Sequence, residues 1–445
     1  LFDVRREAGT IKAEPAADRI DRETAGPVPG EPVSARTAGG HEPLVSGGMF
    51  HSLKIYEHFR MLIFGTLATN TAFWMYQVAV GWLALEMTDS AAFVGLAGFV
   101  AGIPILLFSI PAGIVIDRFD KRLVLQIAQG GIMLIAALFA LFVWFEIINR
   151  GWLLVLSFFY GTIMSFIFPT RTAIVPTLVE RRDMANAIAL NASGQNATRV
   201  IGPSVAGVLI ALIGVAGSFA GAAFLQVFAL LATQRLPTDK PEGTERRGNG
   251  WEALTFGLRI VANDAYLKGL VIGALIPTLF IMPYLNLMPV ISRDERGLGS
   301  GGLGLMLTAV GIGTVAGSLA VAQNERLRTL PRAQMYCGIG FASSVILFAL
   351  IENLIAGLVF LFISGAMSSG FLAINQTSMQ LHVAHEVRGR VISIYLMTWG
   401  MLPFGQLAVG ALANSIGASP AIAISAVLGI VALVIVSSRF TVLKE

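Results

Sequence analysis

Few residues in this chain could do chemistry, and the most unusual of them is Arg199. It lies deep in an apolar stretch, with Asn191, Gln195 and Thr198 before it and Gly202 after it. Steps of three and four put these residues on one face of a helix. Asn70, Trp74, Gln77 and Gly81 repeat the spacing in an earlier stretch, and Asn375 and Gln376 form a polar pair in a later one. Ser165, Arg171 and Thr172 lie between them. Amides, an indole and a guanidinium on a helix face can bind and orient a small molecule. An isolated Asn or Gln serves equally to hydrogen-bond a neighbouring helix, and both roles stay open here. A guanidinium at mid-span costs at least about 2.5 kcal/mol and marks function. It favours an anionic or electron-rich group on the bound molecule. The alternative is that Arg199 bonds carbonyls freed by Pro203, and that the cargo is neutral or cationic.

Bond-making chemistry finds no foothold. "GSGGLG" (299–304) has the glycine spacing of a dinucleotide loop, but no strand precedes it and it opens an apolar span. "HVAHE" (382–386) lacks the order of a zinc-protease helix, and no phosphate-binding loop is present. The expectation is therefore a non-enzyme without metal, cofactor or nucleic-acid partner.

The elements that must position Arg199 are membrane helices. Of 445 residues, 55% are hydrophobic and 13% charged; a soluble domain carries roughly 25% charged residues. A crossing needs about 20 apolar residues. Twelve stretches qualify: 60–86, 91–116, 123–146, 152–176, 187–213, 217–234, 266–291, 302–322, 333–351, 354–378, 391–414 and 419–438. They are continuous and not alternating, so a barrel is excluded. Basic residues gather in the loops after even-numbered spans, which places those loops and both termini in the cytoplasm. Only Arg150, Arg293 and Arg296 fall on the other side. One loop, between spans 2 and 3, packs Asp117, Arg118, Asp120, Lys121 and Arg122 together. Topology alone has no use for its two acids. A carboxylate at a helix start is favoured by the helix dipole.

Residues 1–48 are polar and rich in Pro, Gly and charge, which predicts a disordered extension; Met49 reads as a natural start. The domains read as 49–234 and 265–445, six spans each, joined by a linker with a surface helix over 235–264. Repeated glycines relate the two. Gly202, Gly207 and Gly214 fall on Gly405, Gly410 and Gly417 at an offset of 203, and Gly95 and Gly102 fall on Gly304 and Gly311 at an offset of 209. Two parallel halves suit a transporter.

Here a family can be named. "GIVIDRFDKR" resembles the loop signature of the major facilitator superfamily, with Asp120 where many members carry Gly. "FPTRTAIVPTLVERRDMANAIALN", "RVIGPSVAG" and "VRGRVISIYLMTWGMLPFGQLAVGAL" resemble its enterobactin-exporter and macrolide-efflux branch. The resemblance implies an all-α fold of twelve helices in two pseudo-symmetric halves. It implies a conformational latch between Asp117, with Arg118, Lys121 and Arg122, and Arg388 or Arg390 at the start of span 11. The repeat suggests a mirror pair of Glu325 with Arg181 or Arg182. "RVIGPSVAG" also resembles part of the antiporter motif of span 5, where Gly202, Pro203 and Gly207 kink and pack the helix. That implies proton antiport, although no acid sits deep in any span.

The expectation is a monomeric secondary transporter in the bacterial inner membrane, its partners a small molecule, protons and lipid. It would export siderophore- or drug-like amphipathic molecules by alternating access. A metabolite importer, or a receptor or channel on the same fold, is the alternative.

Overall fold

A computed structural model describes residues 50–180, 182–238, 250–324, 331–383 and 385–440. The extension 1–48, residues 239–249 of the linker, Arg181 and Glu325 lie outside the described residues. Among the described residues every regular element is helical: α1 (His51–Ile55), α2 (Glu57–Thr88), α3 (Ala91–Arg118), α4 (Lys121–Trp144), α5 (Arg150–Leu178), α6 (Met184–Gln234), α7 (Gly250–Asn263), α8 (Ala265–Ile276), α9 (Gly299–Gln323), α10 (Pro331–Leu350), α11 (Leu354–His382), α12 (His385–Trp399), α13 (Leu402–Ile416) and α14 (Ala418–Arg439).

Ten segments are long and apolar enough to cross a membrane. One of them, α6, turns sharply at Gly214, where φ is 75°. That conformation admits glycine and few other residues. Its repeat partner Gly417 has φ 91° between α13 and α14, so one glycine turn recurs at the same place in each half. The 32-residue α2 is also long enough to cross. Counting α6 twice gives eleven; α2, long enough but interrupted by Thr66, Thr69, Asn70, Thr71 and Gln77, stands where the sequence reading put the twelfth.

Polar caps start the helices. Ser90, Asp120, Asn149, Asp264 and Asn353 each accept a backbone N–H from the first turn they precede. Asp120 takes the amides of Arg122 (2.8 Å) and Leu123 (3.3 Å), which explains one acid of the charged loop without invoking function. Span 7 is broken. After α8 the chain runs through π and 3-10 turns to Glu295, with Pro277, Pro283 and Pro289 six residues apart. Each proline removes a donor and clashes with the preceding turn. Span 11 also divides, into α12 and α13, at Gly400–Met401. The surface helix after the linker is α7, whose Gly257 rests on the backbone of Arg390 in α12.

Candidate functional site

α3 meets α13, and α6 meets α9, at glycines. A methyl group at Gly95 would lie 2.6 Å from the Gln406 carbonyl oxygen and 2.9 Å from the Gly410 Cα. A methyl at Gly207 would lie 2.9 Å from the Gly304 Cα and 3.0 Å from the Ser300 carbonyl oxygen. Gly95 corresponds to Gly304 in the repeat, and Gly410 to Gly207, so the two crossings are one contact made twice. Further along, Gly102 abuts Pro403 and Gly311 abuts Val200, again a matched pair. Hydrogen bonds reinforce the crossings. Ser204 bonds Thr308, Asn286 donates to the Val94 carbonyl at 3.0 Å, and Ser90 donates to Asn414 at 2.9 Å. Arg293 donates to Asp89 at 2.5 Å and to the Leu85 carbonyl at 3.2 Å.

All these contacts lie from the middle of the bundle toward the end that carries Asp89. Toward the opposite, basic end α3 keeps one packed side, with Ala112 and Ile116 buried. Leu107, Ile114 and Phe119 are exposed, and a methyl at Gly113 would meet nothing within 4 Å. These close contacts between the halves form a seal at the Asp89 end.

Arg199 stands where the seal stops. Its backbone oxygen would be 2.9 Å from a methyl at Gly311, and about 22 Å of helix separates it from the start of α6. The guanidinium is half-buried and lies 5.8 Å from the Trp74 ring, within reach of a cation–π attraction. It makes no hydrogen bond or ion pair with any described residue. Gly202 lets α6 approach this point: a methyl there would be 2.5 Å from the Trp74 Cβ. Phe73 extends the group, edge-on to Trp74 (5.4 Å) and Phe168 (6.0 Å). Thus the structure brings Trp74, Arg199 and Gly202 together, with Pro203 one residue further on.

Asn191 and Gln195 on the same helix are half-buried, while Gln77 and Gln376 are exposed. None of these four side chains bonds to a described residue. Asn70 is buried and its Oδ1 lacks a partner. Asn375 is apart from the group, fully buried, donating to the Leu270 carbonyl at 3.0 Å; it ties α11 to α8.

Arg171 is a second interior cation, more deeply held than its sequence setting shows. It is buried between α2, α5 and α6. One nitrogen donates to the Gly65 carbonyl (3.0 Å) and to Thr69 (2.5 Å), and Thr69 donates on to Gln226 (3.0 Å). Its Nε and Nη1 have no partner. Among the described residues, every Asp and Glu sits within a few residues of a helix end or in a loop, so neither interior arginine has an acid beside it.

At the basic end Asp117 and Arg118 are exposed and unpaired. Arg122 donates to the Leu236 carbonyl at 2.8 Å, and Lys121 is engaged as well. Arg182 pairs with Glu180 at 2.9 Å. Arg390 stacks over Phe256 of α7 at 4.6 Å, away from Asp117, and the Arg388 side chain lies outside what is described. His382 bonds Asp264 at 2.9 Å. Burial alone would raise the Asp264 carboxyl, but the Leu267 amide, the His382 ring and the Tyr266 amide together hold it below its ordinary value.

Sequence reasoning passed over Asp89, Asn286, Arg293, Thr308 and Gln406. One signal was present: Arg293 sits among the few basic residues on the otherwise acidic or neutral side, facing an Asp in the loop after span 1.

Comparisons with known proteins identify the family and the fold. A family model described as transmembrane secretion effector matches residues 50–445. The staphyloferrin A transporter of Staphylococcus aureus is 26% identical over 77% of this chain and 86% of its own length. The multidrug efflux pump Tap of Mycobacterium bovis is 25% identical over 86% and 94%. The enterobactin exporter EntS of Salmonella typhi is 24% identical over 77% and 82%. Among solved structures, a bacterial homologue of the human lysosomal transporter Spinster, inward-facing and unoccupied, aligns with TM-score 0.66 at 14% identity, covering 87% of this chain and 97% of that one.

Proposed function

Because the chain belongs to the transmembrane secretion effector family of the major facilitator superfamily, and is thus a multi-pass efflux transporter and not an enzyme, we propose that it exports an anionic, amphipathic small molecule by alternating access. The observation that carries the cargo class is Arg199: a half-buried guanidinium beside Trp74, at the limit of the seal, with no protein acid to neutralise it. An arginine keeps its charge. In a low-dielectric path the anion that neutralises it gains more than it would in water. Trp74, Phe73 and Phe168 supply the apolar wall an amphipathic molecule needs. Asn191, Gln195, Gln77 and Gln376 would hydrogen-bond the rest of the cargo, since polar side chains this deep avoid lipid. Two relatives are named for siderophores, staphyloferrin A and enterobactin, which supports siderophore-like cargo here.

The basic end is the cytoplasmic one on this reading, because Lys and Arg concentrate in its loops. The structure is then the state that loads cargo from the cytoplasm. The opposite state would close the basic end, where Asp117 would meet Arg388 or Arg390 as α3 and α12 converge. In this structure Asp117 is exposed and Arg390 stacks over Phe256, so neither holds the other.

The test is binding across a charge series of one amphipathic scaffold. Arg199→Gln should weaken anionic analogues selectively, and Arg199→Lys should keep part of the affinity. If Arg199→Gln weakens anionic, neutral and cationic analogues equally, the arginine serves the helix backbone and not the cargo.

A further inference from the structure

The seam between α3 and α13 carries a feature that the cargo site leaves unused. An open cavity of about 400 Å³ lies between α3, α5 and α13, with Thr88 and Ser90, on either side of Asp89 in sequence, at its rim. Phe93 and Leu96 of α3 form one wall and Leu407 and Ala411 of α13 the other, and Arg150 stands beside them at the first position of α5. The walls continue along the seam with matched spacing. On α3 the row runs Ala92, Leu96, Phe99, and on α13 it runs Ala411, Leu407, Phe404. Steps of four and then three keep each row on one helix face. The rows end where Phe99 meets Phe404 edge-on at 5.4 Å, roughly 10 Å of helix from Ala92. Phe404 and Ala411 are exposed, so the stripe lies open to its surroundings. Arg150 is exposed and makes no hydrogen bond or ion pair with any described residue. A cation in the first turn of a helix is disfavoured by the helix dipole, so it does not serve α5. Trp144, Phe145 and Trp152, its neighbours in sequence, are all exposed, as in the aromatic belt of a membrane–water boundary. A lone cation at headgroup level thus tops an apolar stripe that runs into the hydrocarbon.

We propose that this cavity binds an anionic phospholipid of the leaflet at the Asp89 end, its phosphate on Arg150 and one acyl chain along the seam. The two parts of the site select the occupant together. A soluble anion would satisfy Arg150 but leave Phe93, Leu96 and Leu407 uncovered. A zwitterionic headgroup brings its own ammonium to compete for the phosphate. The arginine fork matches a phosphate in both charge and geometry. The lipid would touch α3 and α5 of one half and α13 of the other. It therefore binds best while Gly95 and Gly410 are in contact, and by linkage it favours that closed seal. Neither the occupant nor its effect depends on what Arg199 binds.

The test uses the full chain with Cys337→Ala and Ser300→Cys, in nanodiscs of phosphatidylcholine with or without phosphatidylglycerol. The rate at which an impermeant thiol reagent labels Ser300→Cys reads the seal. Phosphatidylglycerol should slow labelling about fivefold, the effect of one arginine at an anionic membrane surface. Mass spectrometry of protein released from the mixed discs should find phosphatidylglycerol retained in preference to phosphatidylcholine. Arg150→Gln should lose both the retention and the slowing, and Arg150→Lys should keep part of each. Ala411→Trp fills the cavity and leaves Arg150 in place, and it should lose both as well. The proposal is overturned if the parent retains no excess of phosphatidylglycerol, or if its labelling ignores that lipid. It is also overturned if Arg150→Gln or Ala411→Trp responds to phosphatidylglycerol as the parent does, which would mark a general effect of surface charge. Glycerol phosphate, a headgroup without chains, should not slow labelling in phosphatidylcholine discs; if it does, the cavity holds a soluble anion and the lipid site fails.

Discussion

Replacing Gly95 with alanine should open the Asp89 end without unfolding either half. The new methyl would lie 2.6 Å from the Gln406 carbonyl oxygen and 2.9 Å from the Gly410 Cα. Both are backbone atoms of α13, so no side chain can swing aside. Overpacking of this kind costs about 1–3 kcal/mol. The cost falls only on the state in which α3 and α13 touch there, because both obstructing atoms belong to the other half. At tenfold per 1.4 kcal/mol, the open population should rise about 5- to 150-fold. Ser300, buried 9% exposed beside Gly207, reports that population. A cysteine at Ser300 should react with a membrane-impermeant thiol reagent faster in the Gly95→Ala background by that factor. Gly161→Ala is the control. Its methyl would strike the Ala101 carbonyl, within one half, so it should lower the yield of folded protein and leave the reaction rate of the survivors alone. An unchanged rate at Ser300→Cys in well-folded Gly95→Ala would refute the reasoning that this glycine contact is the seal.

The two acids of the charged loop should separate in their effects. Asp120→Ala should cost about 1 kcal/mol of stability in thermal unfolding, as a lost helix cap does. Asp117→Asn should leave stability unchanged but slow transport, and its loss should be non-additive with Arg390→Ala if the two meet in the opposite state. At Asp264 the folded carboxyl is depressed, so its contribution is complete above the ordinary value of 3.8 and is lost as pH falls through the lower folded value. Asp264→Asn should flatten that acid limb of a melting-temperature profile. Deleting residues 1–48 should leave insertion and transport intact, since no apolar segment is lost; an inserted but inactive truncation would show otherwise.

Much of this fold was legible because lipid imposes a simple rule on sequence. Apolar runs of crossing length marked the helices, and the repeated glycines marked the two halves; that Gly95 meets Gly410 and Gly207 meets Gly304 emerged only from the packing. Arg199 and Trp74 stood out because charge and indole are conspicuous in an apolar run. The break in span 7 was readable in Pro277, Pro283 and Pro289, yet it passed as an ordinary helix because membrane helices tolerate proline. The partners of Arg293 and Asn286 were not legible. They lie in α2 and α3, about 200 residues away in sequence, and only the packing of the halves pairs them. Arg171 and Asn375 show the same limit. Each was a polar residue on a helix, and whether it faces a path or a neighbouring helix is decided by rotation about the helix axis. Single-sequence spacing constrains that rotation weakly when apolar residues surround it on every side.

The central claim is that one path opens to one side at a time. The most direct measurement follows both ends of single molecules together, by fluorescence with dye pairs on Phe119→Cys with Gly389→Cys and on Glu86→Cys with Ser415→Cys. The ends should move in opposition: each closure at the basic end should coincide with opening at the Asp89 end, and both should never be wide at once. Molecules found open at both ends would describe a channel, and molecules in which neither end moves would describe a receptor; either result would contradict the account.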